Sequence, residues 1–291
     1  MFTPGCITLG VSDETAWTCP TCVRDVATEY CPTCGERRLR ARDLRFRGLL
    51  AQLSQSVTNL DARLIRTVRC LFRHPGQLTV RYLQGPRKPY IGPIAFFLLT
   101  NVLFVGMETL TGSNVFATPL AQHLRNQPWS EWVQPIIADH IAARGSTMAA
   151  YAPVFDKAVA DHAKSLVALM VPPFAVMAAI VYRRSRRPFV AHAAFSLHFH
   201  AFMLLLLSVA LLVPALDVWF GGRGLSSQLL DNALAIAHLV LCALYLYIAS
   251  GPVYGARGAA RVVQALILTL GAMLTFLGYR FALLWITLYF D

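Results

Sequence analysis

HPGQLTVRYLQGPRKPYIGP, residues 74–93, is the stretch whose reading decides the fold. It is basic, aromatic and dense in helix breakers: His74-Pro75-Gly76, Gly85-Pro86, Lys88-Pro89 and Gly92-Pro93. That mixture suits a membrane–water boundary, where Arg and Lys meet phosphates and Tyr sits at headgroup level. Before it lies a polar, arginine-rich head with four paired cysteines. After it the chain turns apolar and stays so, with interruptions, to the end. The stretch therefore reads as a collar between a metal-bound head and a membrane bundle.

Composition agrees. Of 291 residues, 56% are apolar and only 14% charged, against roughly 25% charged in soluble domains. Mean hydropathy is +0.51, which argues against a soluble globule. The formal net charge is +11. Because this charge lies beside apolar spans, anionic phospholipid headgroups and membrane topology account for it, and no nucleic acid is expected. The first 18 residues lack a basic start followed by an apolar core, so no secretory signal is expected.

Residues 1–16 show no periodicity and read as a loose tail, with Cys6 a bystander. Residues 17–36 read as a zinc ribbon. CPTC supplies Cys19 and Cys22; after eight residues CPTCG supplies Cys31, Cys34 and Gly35. Each CxxC brings two thiolates to one ion from a tight turn, and Gly35 gives the turn its backbone freedom. Four sulfurs make a closed tetrahedral site with no open position for chemistry. Zinc is the default ion, and iron in a rubredoxin-like site the lesser alternative. A redox dithiol or a disulfide would use only one CxxC. So short a segment cannot build its own core, so metal binding would be its folding energy.

Residues 37–91 form the basic collar. Arg37, Arg38, Arg40, Arg42, Arg45 and Arg47 open it; contact with the inner leaflet is favoured over a solvated face or nucleic acid. From Gly48 to Arg73, apolar positions such as Leu53, Val57, Leu60, Leu64, Val68 and Leu71 recur every three or four residues, with Arg63, Arg66, Arg69 and Arg73 between them. This predicts a basic amphipathic helix, lying in the interface or against the bundle. His74-Pro75-Gly76 stops it, and a short helix over 77–83 follows.

The domain from residue 92 to 291 is expected to be an all-α integral membrane bundle of about five spans: 93–110, 165–182, 190–220, 229–250 and 262–283. Pro172-Pro173 should kink the second and Pro214 break the third. Asp231 would cap the fourth, and FALLWITLYF after Arg280 could continue the fifth or lie along the surface. Of the Lys and Arg near the span ends, nine (Arg81, Arg87, Lys88, Arg183, Arg184, Arg186, Arg187, Arg257, Arg261) fall on one side, and four (Arg125, Lys157, Lys164, Arg223) on the other. The richer side should be cytoplasmic. This gives a multi-pass protein of a bacterial inner membrane with its amino terminus, and its reduced thiols, inside. The outer loop 111–164 would carry an interfacial helix around Trp129, Trp132, Ile136, Ile137 and Ile141. A second, Tyr151 to Lys164, would run into span two.

Ionisable groups inside spans are functional candidates. His198 and His200 lie in span three and His238 in span four. An imidazole pair across two helices could hold haem iron or relay protons. His198 and His200, though, point about 200° apart on one helix, and hydrogen-bonded glue between helices is the favoured reading. Arg280 should pair with Asp217, Asp231 or Glu108, or snorkel to the interface. There is no GxSxG, Walker loop, HExxH or catalytic carboxylate pair. The favoured function is a non-enzymatic membrane scaffold or regulator whose ribbon docks a cytoplasmic partner or the membrane surface. A transporter or permeation module, and a haem-binding or redox enzyme, are the alternatives.

The order of these features resembles a bacterial family of uncharacterised integral-membrane proteins with an amino-terminal CxxC…CxxCG. The junction Arg73-His74-Pro75-Gly76…Tyr82-Leu83…Gly85…Arg87…Tyr90…Pro93 and the run from His192 to Phe202 carry the likeness. It covers roughly residues 19–205. The resemblance implies the architecture and no established activity.

Overall fold

The computed structural model describes residues 16–38, 60–85, 87–224 and 227–290. The amino-terminal tail, the arginine run from residue 39 onward and the first part of the collar's amphipathic helix lie outside the described residues. Strands β1 (Trp17–Thr18) and β2 (Asp25–Val26) pair antiparallel around the first CxxC, and a bridge from Tyr30 to Arg37 frames the second. Apart from its cysteines, the one apolar side chain buried in this unit is Val26. So small a core leaves folding dependent on what the sulfurs bind.

The collar helices are α1 (Leu60–Arg73) and α2 (Gln77–Gln84). On α1 the 3.6-residue period buries Thr67, Cys70 and Leu71 and leaves Arg66, Arg69 and Arg73 exposed. Between them Gly76 adopts φ 86°, a left-handed conformation costly for any residue with a Cβ. A Cβ there would also stand 2.7 Å from the carbonyl oxygen of Ala249. The His74-Pro75-Gly76 turn is thus seated on the backbone of a distant helix. After α2 the chain runs back along α1. Arg63 Nη2 donates to the Tyr90 carbonyl at 2.7 Å, and Thr67 Oγ1 accepts from Ile91 N–H at 3.0 Å.

Among the described residues, five helices are long and apolar enough to cross a membrane. Helix α3 (Pro93–Thr111) starts at Pro93, whose missing N–H is one of the first-turn orphans. Two shorter helices follow, α4 (Leu120–Arg125) and α5 (Ser130–Ala143). Helix α6 (Met148–Leu166) passes through a 3-10 turn, Val167–Met170, into α7 (Val171–Val181). The tight turn directly precedes Pro172-Pro173, which cannot donate to the carbonyls of Ala168 and Leu169. The second membrane-length helix runs over Met148–Val181, so the amphipathic run Tyr151 to Lys164 and the expected span from residue 165 are one interrupted rod.

Helix α8 (Phe189–Ala210) breaks at Leu211 before α9 (Leu212–Trp219). Pro214 removes the amide that would bond the Ala210 carbonyl, which accounts for the break. Helix α10 (Gln228–Tyr254) has Ser227 at its N-cap, with Asp231 in the first turn; the expected Asp231 cap is corrected. Helix α11 (Gly258–Phe290) includes FALLWITLYF, so the surface-lying alternative is also corrected. Its 33 residues reach about 50 Å at 1.5 Å per residue, well beyond a hydrocarbon core of about 30 Å.

Helix α8 is the hub, packed by α3, α7, α10 and the collar helix α2. Every residue from Val190 to Leu204 is buried. A helix apolar on all sides can be satisfied in that way, surrounded by other helices. The remaining long helices turn apolar side chains such as Val102, Leu110, Ile180 and Leu266 outward.

Candidate metal centre and buried polar sites

The two CPTC segments fold alike. In the first, Cys19 N–H donates to the Arg24 carbonyl and Val23 N–H to the Cys19 carbonyl, each at 2.8 Å. In the second, Cys31 N–H donates to the Glu36 carbonyl and Gly35 N–H to the Cys31 carbonyl, each at 2.7 Å. The residue after each second cysteine takes a positive φ, 56° at Val23 and 67° at Gly35. Glycine suits that conformation; valine, being β-branched, is strained in it.

The turns bring Cys19, Cys22, Cys31 and Cys34 together, with all four sulfurs within 4.8 Å of one another. Cys19 and Cys34 Sγ are 3.4 Å apart, as are Cys22 and Cys31 Sγ. No disulfide joins them. A tetrahedral ion with metal–sulfur bonds of about 2.3 Å requires edges near 3.8 Å, so the set can close on one metal ion with little adjustment. The backbone amides of Cys34 and Thr33 pull the Cys31 thiol down to about 6. Desolvation pushes Cys34 up to about 12 and Cys22 upward as well. Cys31 is thus the readiest thiolate of the set, and a bound cation would favour the thiolate form at Cys34 and Cys22.

Glu36 is a residue that the spacing argument missed. It is 3% exposed. Its Oε2 accepts from Thr21 Oγ1 at 2.7 Å and from the amides of Arg87 and Lys88, each at 3.1 Å. One carboxylate thus ties the first turn to the second and both to the collar. Arg87 continues the connection: its Nε donates to the Tyr82 carbonyl at 2.9 Å and its guanidinium lies 4.4 Å from the Tyr82 ring centroid. Arg81 in the same way meets the Tyr90 hydroxyl. Some collar cations expected to face phosphates are therefore bound by their own chain. The sequence cue for Glu36 was its place in the repeat, opposite Arg24.

The hydrogen bonds described for His198, His200 and His238 run to other groups and not to one another. His198 Nδ1 lies 2.9 Å from Thr79 Oγ1, joining the collar to α8. His200 Nδ1 lies 2.8 Å from the Ser196 carbonyl of its own helix. His238 Nε2 lies 3.5 Å from Cys242 Sγ. At His198 this is the interhelical glue read from the sequence, but its partner is a collar helix rather than another span.

Arg280 does not meet the acids expected for it. Glu108 Oε1 accepts from Val115 N–H at 2.7 Å, and Asp217 Oδ2 from Gly224 N–H at 2.8 Å; Asp231 lies exposed. The Arg280 guanidinium is 4.4 Å from the Phe276 ring centroid. Around it the segment from residue 112 to 147 forms a cap. Trp129 and Trp132 pack on Phe281, at 5.1 and 5.6 Å between centroids, and Trp132 approaches Trp285. The apolar face expected to lie in the interface is thus spent on the end of α11. Inside the cap His123 is fully buried, and burial, then the Arg280 charge, pushes its imidazole down to about 4.

Fold and site together define, among the described residues, a helical bundle with five membrane-length helices and a four-cysteine head. Residues 61–105 match the model of a family described as Protein of unknown function (DUF3667). The match spans α1, α2, the return past Tyr90 and the first part of α3; Cys19, Cys22, Cys31, Cys34 and the His192–Phe202 run lie outside it. No curated protein and no solved structure matches the chain.

Proposed function

We propose that the four thiolates hold one structural zinc ion, and that the loaded ribbon is a clasp fixing the collar of a multi-pass inner-membrane protein with a non-enzymatic, scaffold or regulatory role. The observation carrying this reading is Glu36, which sits two residues past Cys34 and binds both the other cysteine turn and the collar amides. A closed four-sulfur set supplies no open coordination position, and structural sites have that form. The excess of nine cations over four near the span ends supports a cytoplasmic amino terminus. Exposed Arg66, Arg69 and Arg73, on one face of α1 with no acid between them, favour anionic headgroups as the collar's surface partner.

The test is metal analysis of the purified protein with and without Cys19→Ser/Cys34→Ser. Zinc near one per chain that vanishes in the variant, together with loss of partners in a detergent pulldown, is the expected result. A variant that loses its metal yet keeps every partner removes the docking role.

A further inference from the structure

Two loops at the end of the bundle that carries the collar are clamped together by stacked rings. Tyr182 follows α7 and Tyr254 closes α10, and their ring centroids lie 3.9 Å apart at an interplanar angle of 8°. His192, near the start of α8, stacks on Tyr254 in turn, and its Nδ1 is 3.0 Å from the Tyr254 hydroxyl. The loop from residue 183 to 188 is thereby fixed beside the loop from 255 to 257.

These loops carry Arg183, Arg184, Arg186, Arg187 and Arg257, all exposed. Arg183 directly follows Tyr182, the Arg187 charge acts on the Tyr254 hydroxyl, and Arg257 stands three residues past Tyr254, so the cations share one patch. The sequence has no Asp or Glu between Asp161 and Asp217, nor between Asp231 and Asp291, so neither loop has an acid to answer them. Arg261, next along, is bound by the carbonyls of Tyr247 and Ile248 at 2.7 and 2.8 Å. Among the described residues the guanidinium groups of the five donate no hydrogen bond within the chain. Arg186 also sits at φ 51°, a left-handed conformation that glycine adopts more cheaply. Backbone strain is thus accepted at a position that presents a cation.

Next to the patch the surface is apolar. Ile180 lies two residues before Tyr182, Phe189 two after Arg187, and Val262 and Val263 just inside α11; all four side chains are exposed. Cations bordering an apolar row match the order of a phospholipid, phosphate first and acyl chain beyond it. Guanidinium groups suit phosphate oxygens, which they grip through paired N–H donors. An acidic peptide or a nucleic acid would match the cations and not the apolar row.

We infer that the two loops form a docking surface for an anionic phospholipid. Arg183, Arg184, Arg186, Arg187 and Arg257 hold its phosphate, and Ile180, Phe189 and Val262 lie along its acyl chains. The stack of Tyr182 on Tyr254 sets the spacing of the loops. The inference rests on the membrane reading and not on the zinc clasp, and the surface is separate from the arginine face of α1.

The experiment titrates phosphatidylglycerol, and separately phosphatidylcholine, into the purified full-length protein in an uncharged detergent, with the melting temperature as readout. A saturable rise is expected, at a midpoint at least about tenfold lower for phosphatidylglycerol. Arg186→Gln/Arg187→Gln/Arg257→Gln raises that midpoint at least about tenfold, since each cation at an anionic surface is worth about fivefold. Its melting temperature without lipid stays native, because the altered side chains are exposed. The same shift persists in an Arg66→Gln/Arg69→Gln background, where the collar face is silenced. Equal midpoints for the two lipids overturn the proposal, as does an unchanged midpoint in the triple variant or, should that variant not fold, in Arg184→Gln/Arg257→Gln. A larger response to a polyglutamate peptide than to phosphatidylglycerol overturns it too. Extraction of the native protein from membranes by alkaline carbonate would remove the membrane reading itself, and this inference with it.

Discussion

Glu36 Oε2 lies 3.1 Å from the backbone nitrogen of Lys88, 52 residues further along the chain. Glu36→Gln keeps the shape but loses the charge behind three donors. Hydrogen bonds to a charged group contribute about 1.5–3 kcal/mol each. We expect metal content to stay at the native level, while the segment 85–91 becomes open to limited proteolysis. Cleavage there no faster than in the native protein would disprove the clasp.

Val23 is strained at φ 56° and its side chain is 78% exposed, so little packing is lost by removing it. Left-handed backbone costs an L-residue about 1–2 kcal/mol, part of it offset by the flexibility of glycine when unfolded. Val23→Gly should tighten zinc binding about fivefold, the equivalent of roughly 1 kcal/mol. Competition with a chelating dye measures it, and a weaker affinity would contradict the account.

Gly76→Ala meets two obstacles at once, the φ of 86° and the Ala249 carbonyl oxygen. Backbone cannot move aside as a side-chain end does. We expect a loss of at least about 2 kcal/mol, within the range for strain plus overpacking, read as a clear fall in melting temperature in detergent.

Thr79→Val preserves volume but strips His198 of its hydroxyl partner in a buried site. The cost should be about 1–3 kcal/mol. His198→Phe in the same background should recover part of it, since both partners are then apolar. A double-mutant cycle showing no coupling between the two positions would argue against the link.

What could be read in advance follows the range of the interaction. The cysteine turns were legible because their chemistry is local: residue type, a spacing of two and a following glycine. The long helices were legible because apolar length needs no partner to be recognised. Glu36 was not, because a single glutamate after CPTCG looks like any solvated acid until Arg87 and Lys88 are brought against it. His198 was visible as a buried imidazole, but Thr79 lies 119 residues away and in a segment that periodicity marks only as a short helix. The cap formed by residues 112–147 was missed for a related reason. Tryptophan and isoleucine on one helix face look the same whether they meet headgroups or Phe281 and Trp285.

Helix α8 is enclosed from Val190 to Leu204, and this separates two thresholds that usually move together. Entry of a helix into lipid depends on its own oiliness, whereas docking among α3, α7, α10 and α2 depends on fit. A substitution such as Ala194→Leu leaves the first untouched and jams the second. The protein would then reach the bilayer in normal amount and be discarded there, a defect that abundance in a membrane fraction soon after synthesis would hide and lifetime would expose.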